Sequence, residues 1–209
     1  MTNTEREDGV TRDELVQRVA LMEEMIAEGR RSTARFGWSF VLWGLVTLIG
    51  IGWQYLQPHL HWIWPVAIAS GFLIQFIGIA IHRRRGRSCS NNMQSRSIAA
   101  VWRMTGIAII LYAAPAIVTH TIHQIAYVAA IFIFLGLAHA ISALILRWRA
   151  QGVVAGLWWA GGIATYFVPE NNVLTIYIAE MFFCMVLFGL YAMWLERRRA
   201  ATALEQHHA

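Results

Sequence analysis

The chain has 209 residues, of which 57% are hydrophobic and only 14% are charged, whereas soluble domains carry about 25% charged residues. All 17 basic residues are arginine, which excludes chemistry that needs a lysine amine, such as a Schiff base. The net charge of +5 does not indicate nucleic-acid binding, because the arginines border apolar runs and form no face of their own. The composition therefore predicts an integral membrane protein.

Residues 1–35 are predicted to form a cytoplasmic N-terminal segment with one amphipathic helix. Thr11 and Glu14 fit a capping box at its start. Four apolar residues recur at spacings of four, three and four, and so form one stripe: Leu15, Val19, Met22 and Ile26. Two interpretations stay open. Either the helix lies against the membrane or the bundle, or residues 11–35 form a short coiled coil that binds a second copy or a cytoplasmic protein.

Six apolar runs follow, and their lengths suit helices that cross about 30 Å of hydrocarbon. They are predicted to form a transmembrane domain at 36–196, with a cytoplasmic tail at 197–209. The fifth run is the shortest, and Gly152 and Gly156 at its start predict a helix that approaches its neighbours closely. The six spans are predicted at about 36–55, 62–81, 98–118, 125–146, 153–168 and 173–195.

The arginines lie in alternate gaps between these runs, and no Asp or Glu occurs from Gly29 to Pro169. Because arginine is retained on the cytoplasmic side of a bilayer, this pattern predicts six spans with both termini in the cytoplasm. The gaps without arginine are short, so consecutive spans are expected to pair as three antiparallel hairpins. The predicted fold is an all-α polytopic membrane helix bundle in a lipid bilayer.

Ionisable residues inside a bilayer are costly, and each is therefore a candidate for function. A rise of about 1.5 Å per residue places His139 and Glu180 at similar depths in the membrane. A polar ligand-binding pocket is therefore predicted, lined by Gln75, Arg103, His139, Tyr177 and Glu180. In the alternative interpretation, Arg103 extends to the headgroups, and His139 and Glu180 are satisfied by hydrogen bonds between helices.

The predicted outer loops carry four histidines, at His59, His61, His120 and His123, and Glu170 lies in the third loop. Imidazoles with a carboxylate suit Zn²⁺, Cu²⁺ or Ni²⁺. These histidines are therefore a candidate metal site, with ordinary interfacial histidines as the alternative.

A haem needs two axial ligands at matching depth, and only His139 lies deep in a span. No cofactor is therefore predicted, and haem or a divalent metal is kept as an alternative. No catalytic residue is predicted either. The chain has no HExxH motif, and its two aspartates, Asp8 and Asp13, precede the spans.

Four stretches that are spread over residues 21–169 carry a family resemblance. They are Leu21–Ile26, Phe36–Gly44 with its Trp43-Gly44 step, Trp62–Val66, and Gly136–Pro169. These stretches resemble a group of uncharacterised bacterial six-span membrane proteins that begin with a short cytoplasmic helix. Members of that group have no established activity and often occur beside small winged-helix regulators. The resemblance therefore implies a sensing or signalling role.

The sequence thus predicts a non-enzymatic membrane protein that senses, regulates or binds a partner at the cytoplasmic face. One alternative is a transporter or channel for small molecules or ions, with a polar pocket near the middle of the bilayer. Another alternative is a haem- or metal-binding membrane protein.

Overall fold

The computed structural model describes residues 12–35, 37–57, 59, 62–84, 93–119 and 123–208. All regular structure in these residues is helical, which confirms the all-α prediction for the described part of the chain. The helices are α1 (Arg12–Arg35), α2 (Gly37–Leu56), α3 (Ile63–Arg84), α4 (Met93–Thr119), α5 (Gln124–Leu146), α6 (Arg149–Ala164), α7 (Glu170–Glu180) and α8 (Phe188–His208). A π-helical segment, Met181–Leu187, joins α7 to α8 without a break.

Five of the described helices are long and apolar enough to cross a membrane, as expected of a multi-pass membrane protein. They are Gly37–Leu56, Ile63–Ile81, Met93–Pro115, Gln124–Leu146 and Glu170–Arg198. The remaining apolar helix, α6, has 16 residues and is therefore only about 24 Å long.

The turn between α5 and α6 is made by Arg147 and Trp148. Arg147 has φ of 48° and ψ of 42°, the left-handed conformation in which a helix usually ends at glycine. The Arg147 N–H donates to the carbonyl oxygen of Leu144, and the Trp148 N–H donates to that of Ala143. This turn reverses the chain within two residues, so α6 runs back along α5 and forms the most extensive helix pair of the described chain.

Helix α2 packs on the last long helix through glycines. A Cβ atom on Gly37 would lie 2.7 Å from the carbonyl oxygen of Gly189 in α8. A Cβ atom on Gly44 would lie 2.8 Å from Cγ2 of Val186 in the π segment. Only glycine allows the helix backbones to approach this closely, so these residues bring the first and last of the five candidate spans together.

Helix α2 also packs on α3, through tryptophan side chains that lie against glycines of the other helix. In each of these pairs, a Cβ atom added to the glycine would lie 3.2 Å or less from the indole ring. The same arrangement joins α5 to α6. The pairs are Trp38 on Gly78, Trp43 on Gly71, Trp64 on Gly50 and Trp159 on Gly136. Each glycine provides the hollow that a flat, bulky ring needs to pack against a helix.

The helices differ in how much of their surface other helices cover. Within an 18-residue apolar stretch of each helix, 50% of the residues are buried in α5, compared with 6% in α3 and 11% in α4. Helix α3 packs mainly on α2, and α4 packs mainly on α5. The apolar surface left on α3 and α4 is the kind of surface that contacts lipid.

The small residues of α6 are not used as the sequence suggests. Gly152 and Gly156 are exposed, and within the described residues no neighbouring atom lies within 4 Å of a Cβ position on Gly156. Helix α6 does pack closely on α5, and a Cβ atom on Gly152 would lie 3.7 Å from that of Ala143, but Gly156 contributes nothing to this packing. The close approach is made further along the helix, at Gly161 and Gly162, which are buried.

Candidate functional site

His139 lies at the centre of the bundle, inside a cage of aromatic rings. It is fully buried on α5. The ring centroid of Trp102 from α4 lies 4.9 Å away, and those of Phe188 from α8 and Phe40 from α2 lie 5.4 and 5.5 Å away. Phe40 stacks on the imidazole, whereas the other two rings meet it edge to face. Four helices therefore fix the position of one imidazole.

Two further polar side chains lie close to the level of His139 and are also fully buried. Ser142 follows one turn later on α5, and Gln151 projects from α6. A Cβ atom on Gly152 would lie 3.7 Å from that of Ala143, which places Gln151 within about one turn of the level of Ser142. Among the described residues, neither ring nitrogen of His139, nor Ser142 Oγ, nor the Gln151 amide has a hydrogen-bond partner. We call His139, Ser142 and Gln151 the buried polar layer.

The sequence does not reveal Gln151 as a core residue. It follows Arg147 and Arg149 and falls between the spans predicted at 125–146 and 153–168, which is where a loop is expected. Helix α6 instead begins at Arg149, so Gln151 falls within the first turn, on the face that packs on α5.

Glu180 occupies a different place, where α7 passes into the π segment. The Cys184 thiol donates a hydrogen bond to Glu180 Oε2 over 3.0 Å. The carboxylate lies against Gly161 of α6, where a Cβ atom would come within 2.6 Å of Oε1. Gly161 thus leaves room for the carboxylate. The sequence identifies Glu180 but predicts neither its contact with Gly161 nor the π segment. Segments of this kind are often found at functional sites.

Tyr177 lies one turn before Glu180 on the same helix. Its ring stacks on that of Phe132 from α5, with 5.7 Å between the centroids and 28° between the planes. Phe132 in turn meets Trp158 of α6 edge to face, with a centroid distance of 5.1 Å. Tyr177 is therefore packed among aromatic rings, next to the turn that bears Glu180.

Gln75 and Arg103 lie in separate surroundings again. Gln75 of α3 accepts a hydrogen bond of 2.9 Å from the Ser39 hydroxyl of α2. Arg103 is exposed, and its Nε donates to the carbonyl oxygen of Ala99 in its own helix. The preceding residue, Trp102, is the one that reaches His139. The structure thus groups Tyr177 with Glu180 on one helix face and places Gln75, Arg103 and His139 in three other environments.

The outer histidines are only partly described. His59 is exposed between α2 and α3, whereas His61 and His120 lie outside the described residues. His123 Nε2 lies 3.6 Å from Glu170 Oε1, and both side chains are more than half exposed. This contact joins the start of α5 to the start of α7. The helix dipole of α7 stabilises the negative charge of Glu170 at that position. Across the described ranges, no three His, Cys, Asp or Glu side chains are grouped so that they would hold a metal ion.

Helix α1 is divided into a packed half and an exposed half. Helix α1 contacts α4, α5 and α8, and Gly29 in its later half is buried against Leu146 of α5 and Gln94 of α4. Residues 14–24, by contrast, are exposed on every side. Four of them form a continuous apolar surface that we call the α1 stripe: Leu15, Val16, Val19 and Met22, each with 53–61% of its surface exposed.

No protein-family model, no curated protein and no solved structure matches this chain. The geometry of the molecule is therefore the guide to its function. Two features stand out among the described residues. One is the α1 stripe at the end of the bundle, and the other is the carboxylate of Glu180 inside an apolar helix.

Proposed function

We propose that this protein is a six-span membrane protein of the bacterial inner membrane, with both termini in the cytoplasm. We propose further that it is a non-enzymatic sensing or regulatory protein that binds a partner through α1. The alternating arginines support the orientation. A sixth span is supported by α6 and the residues after it. The apolar turn at 165–168 follows directly on Ala164, so the apolar run is longer than the helix itself.

The observation that carries this function is the exposed half of α1. Helices in proteins draw most of their stability from packing of an apolar face, and the bundle leaves residues 14–24 of the 24-residue helix α1 exposed. Burial of a Val, Leu or Met side chain contributes about 1.5–3 kcal/mol, and the α1 stripe offers four such side chains that the bundle leaves exposed. A partner on this surface would supply the stability that the bundle does not.

Site-specific photo-crosslinking in intact cells tests this function. A photoreactive amino acid at Val19 should give a discrete protein adduct, because Val19 lies in the α1 stripe. The same amino acid at Gln17, on the opposite side of the helix, is the matched control and should give at least tenfold less adduct. Adducts to lipid alone at Val19, or equal adducts at both positions, would contradict a protein partner on α1.

A transporter or channel is the second candidate, and Glu180 is the observation that favours it. A carboxylate inside a span commonly marks an ion or proton pathway, and here it adjoins both a π segment and a glycine of the neighbouring helix. Proton flux into vesicles that contain the purified protein would test this. Flux above that of empty vesicles, lost in Glu180→Gln, would support transport; equal flux in the variant and the parent would contradict it.

A further inference from the structure

The α1 stripe has the spacing of a coiled-coil seam. Leu15, Val19 and Met22 follow one another at intervals of four and three residues, which is the alternation of the d and a positions of a heptad. Ile26 continues the spacing, but it is half-buried where α1 meets the bundle. The free seam therefore ends at the point where α1 becomes part of the folded domain.

The charges beside this seam match a second copy of the same helix. With about 100° of rotation per residue, Arg18 and Glu23 flank the seam on opposite sides, at g and e positions. In a parallel pair of identical helices, a g residue faces the e residue that lies five positions later on the other helix. Arg18 is five positions before Glu23, so a parallel pair would form two opposite-charge contacts. An antiparallel pair would set g against g and e against e, and so place like charges together.

A lipid surface is a poorer fit for the same stripe. The exposed segment 14–24 contains three acids, Glu14, Glu23 and Glu24, and one base, Arg18. Helices that lie on anionic bilayers carry mainly Lys and Arg on their polar face. The acids around the α1 stripe would therefore be repelled by anionic headgroups.

Membrane insertion favours the pairing of copies. Two chains in one bilayer share an orientation and are held at a high effective concentration, which strengthens contacts that are weak between free molecules. Gly29, in the later half of each α1, is buried against Leu146 of its own bundle, and the exposed half continues the same helix, so little further ordering is needed. A seam of little more than one heptad, from Leu15 to Met22, can therefore suffice in the membrane.

We propose that the partner of α1 is α1 of a second copy, in a parallel pair. Leu15, Val19 and Met22 form the seam, and Arg18 of each copy faces Glu23 of the other. This inference rests on the proposed function, because it names the partner that the α1 stripe binds.

Disulfide crosslinking of single-cysteine variants in native membranes tests the pairing. The background is the full chain with Cys89→Ser and Cys184→Ser, and a cysteine is then placed at Leu15, Val19 or Met22. Each of these variants should form dimers readily under mild oxidation. Gln17→Cys and Glu24→Cys, on the far side of the helix, are the matched controls and should give at least tenfold less dimer. Equal crosslinking at all five positions would indicate random collision and overturn the proposal.

Charge exchange tests the direction of the pair. Arg18→Glu or Glu23→Arg alone should reduce the Leu15→Cys dimer several-fold, and the double variant should restore it. Glu24→Arg, which faces away from the seam, should leave the dimer unchanged. A double variant as poor as the single ones would overturn the parallel register.

The two proposals fail in different ways. If Val19 photo-crosslinks to another protein and seam cysteines form no dimer, the second-copy inference is overturned and the interaction function stands. If Val19 crosslinks to no protein and seam cysteines form no dimer, both proposals are overturned.

Discussion

Gly156 and Gly161 lie five residues apart on α6 and have opposite surroundings. Gly161 is buried, and the Glu180 carboxylate fills the space where its side chain would be. Gly156 is exposed, with no neighbouring atom of the described chain within 4 Å of its Cβ position. The two positions therefore separate the effect of the glutamate contact from the general effect of replacing a glycine in this helix.

We expect Gly161→Val to lower the free energy of unfolding by about 1–3 kcal/mol, the usual cost of overpacking. Gly156→Val, the control, should change it by no more than about 0.5 kcal/mol. Unfolding of the purified protein in detergent, followed by circular dichroism, measures both. Glu180→Ala in the Gly161→Val background should restore part of the loss. Equal effects at the two glycines would show that Glu180 is not held against α6.

A second comparison is between Gln151, in the buried polar layer, and Gln75, which lies outside that layer. Gln151 is fully buried and has no hydrogen-bond partner among the described residues, whereas Gln75 accepts a bond from Ser39. An unsatisfied buried polar group costs about 1–3 kcal/mol, and a typical hydrogen bond contributes about 1 kcal/mol. We therefore expect the Gln151 amide to lower the free energy of unfolding and the Gln75 amide to raise it.

We expect Gln151→Met to raise the free energy of unfolding by about 1 kcal/mol, because it removes an unsatisfied amide. Gln75→Met should lower it by about 1 kcal/mol, because the Ser39 hydroxyl loses its acceptor. Denaturant titration of both variants in the same detergent gives the comparison. A loss at Gln151 as large as that at Gln75 would show that its amide is hydrogen-bonded in the folded protein, for example to buried water.

At the scale of the helices, the seating of indole rings on glycines is the recurrent contact. It joins α2 to α3 at three places and α5 to α6 at one. We expect Trp43→Ala to lower the free energy of unfolding by about 3 kcal/mol, because it empties a packed site. Trp53→Ala, at an exposed position of the same helix, is the control and should have a clearly smaller effect in the same unfolding assay. Equal losses would show that the hollow at Gly71 contributes nothing to α2–α3 packing.

The sequence predicts the long helices well because each one is a continuous apolar run. It predicts side-chain positions less well, for reasons visible in individual residues. Cys184 and Tyr191 would share a face with Tyr177 and Glu180 in a regular α-helix, yet Tyr191 is exposed and Cys184 is buried. The π segment between Glu180 and α8 changes the rotation of the helix, and no local sequence signal marks it.

Arg103 and the glycines of α6 show the same limit. Position along a helix follows from residue number, so the sequence identifies His139 as a residue well inside a helix, and the structure shows that it is fully buried. The direction of a side chain around the helix depends on which neighbour covers each face. That packing turns Arg103 outward and Trp102 towards His139, and it buries Gly161 while Gly156 is exposed.

At the scale of the whole molecule, the number of spans decides the side on which each terminus lies. Six spans place α1 and the end of α8 on one side of the membrane, whereas five spans place them on opposite sides. We expect single cysteines at Gln17 and Arg198, in a background without Cys89 and Cys184, to react with a membrane-impermeant maleimide only after the cells are permeabilised. A cysteine at Asn172 should react in intact cells. Opposite reactivity of Gln17→Cys and Arg198→Cys would contradict six spans.

The π segment has a mechanical consequence for the two ends of the last helix. One residue of an α-helix corresponds to about 100° of rotation, so a change of this segment to α-helical hydrogen bonding would turn Phe188 and everything after it relative to Glu180. Phe188 contacts His139, and α8 packs on α1. A rotation that began beside Glu180 would therefore move Phe188 against His139 and move α8 against α1.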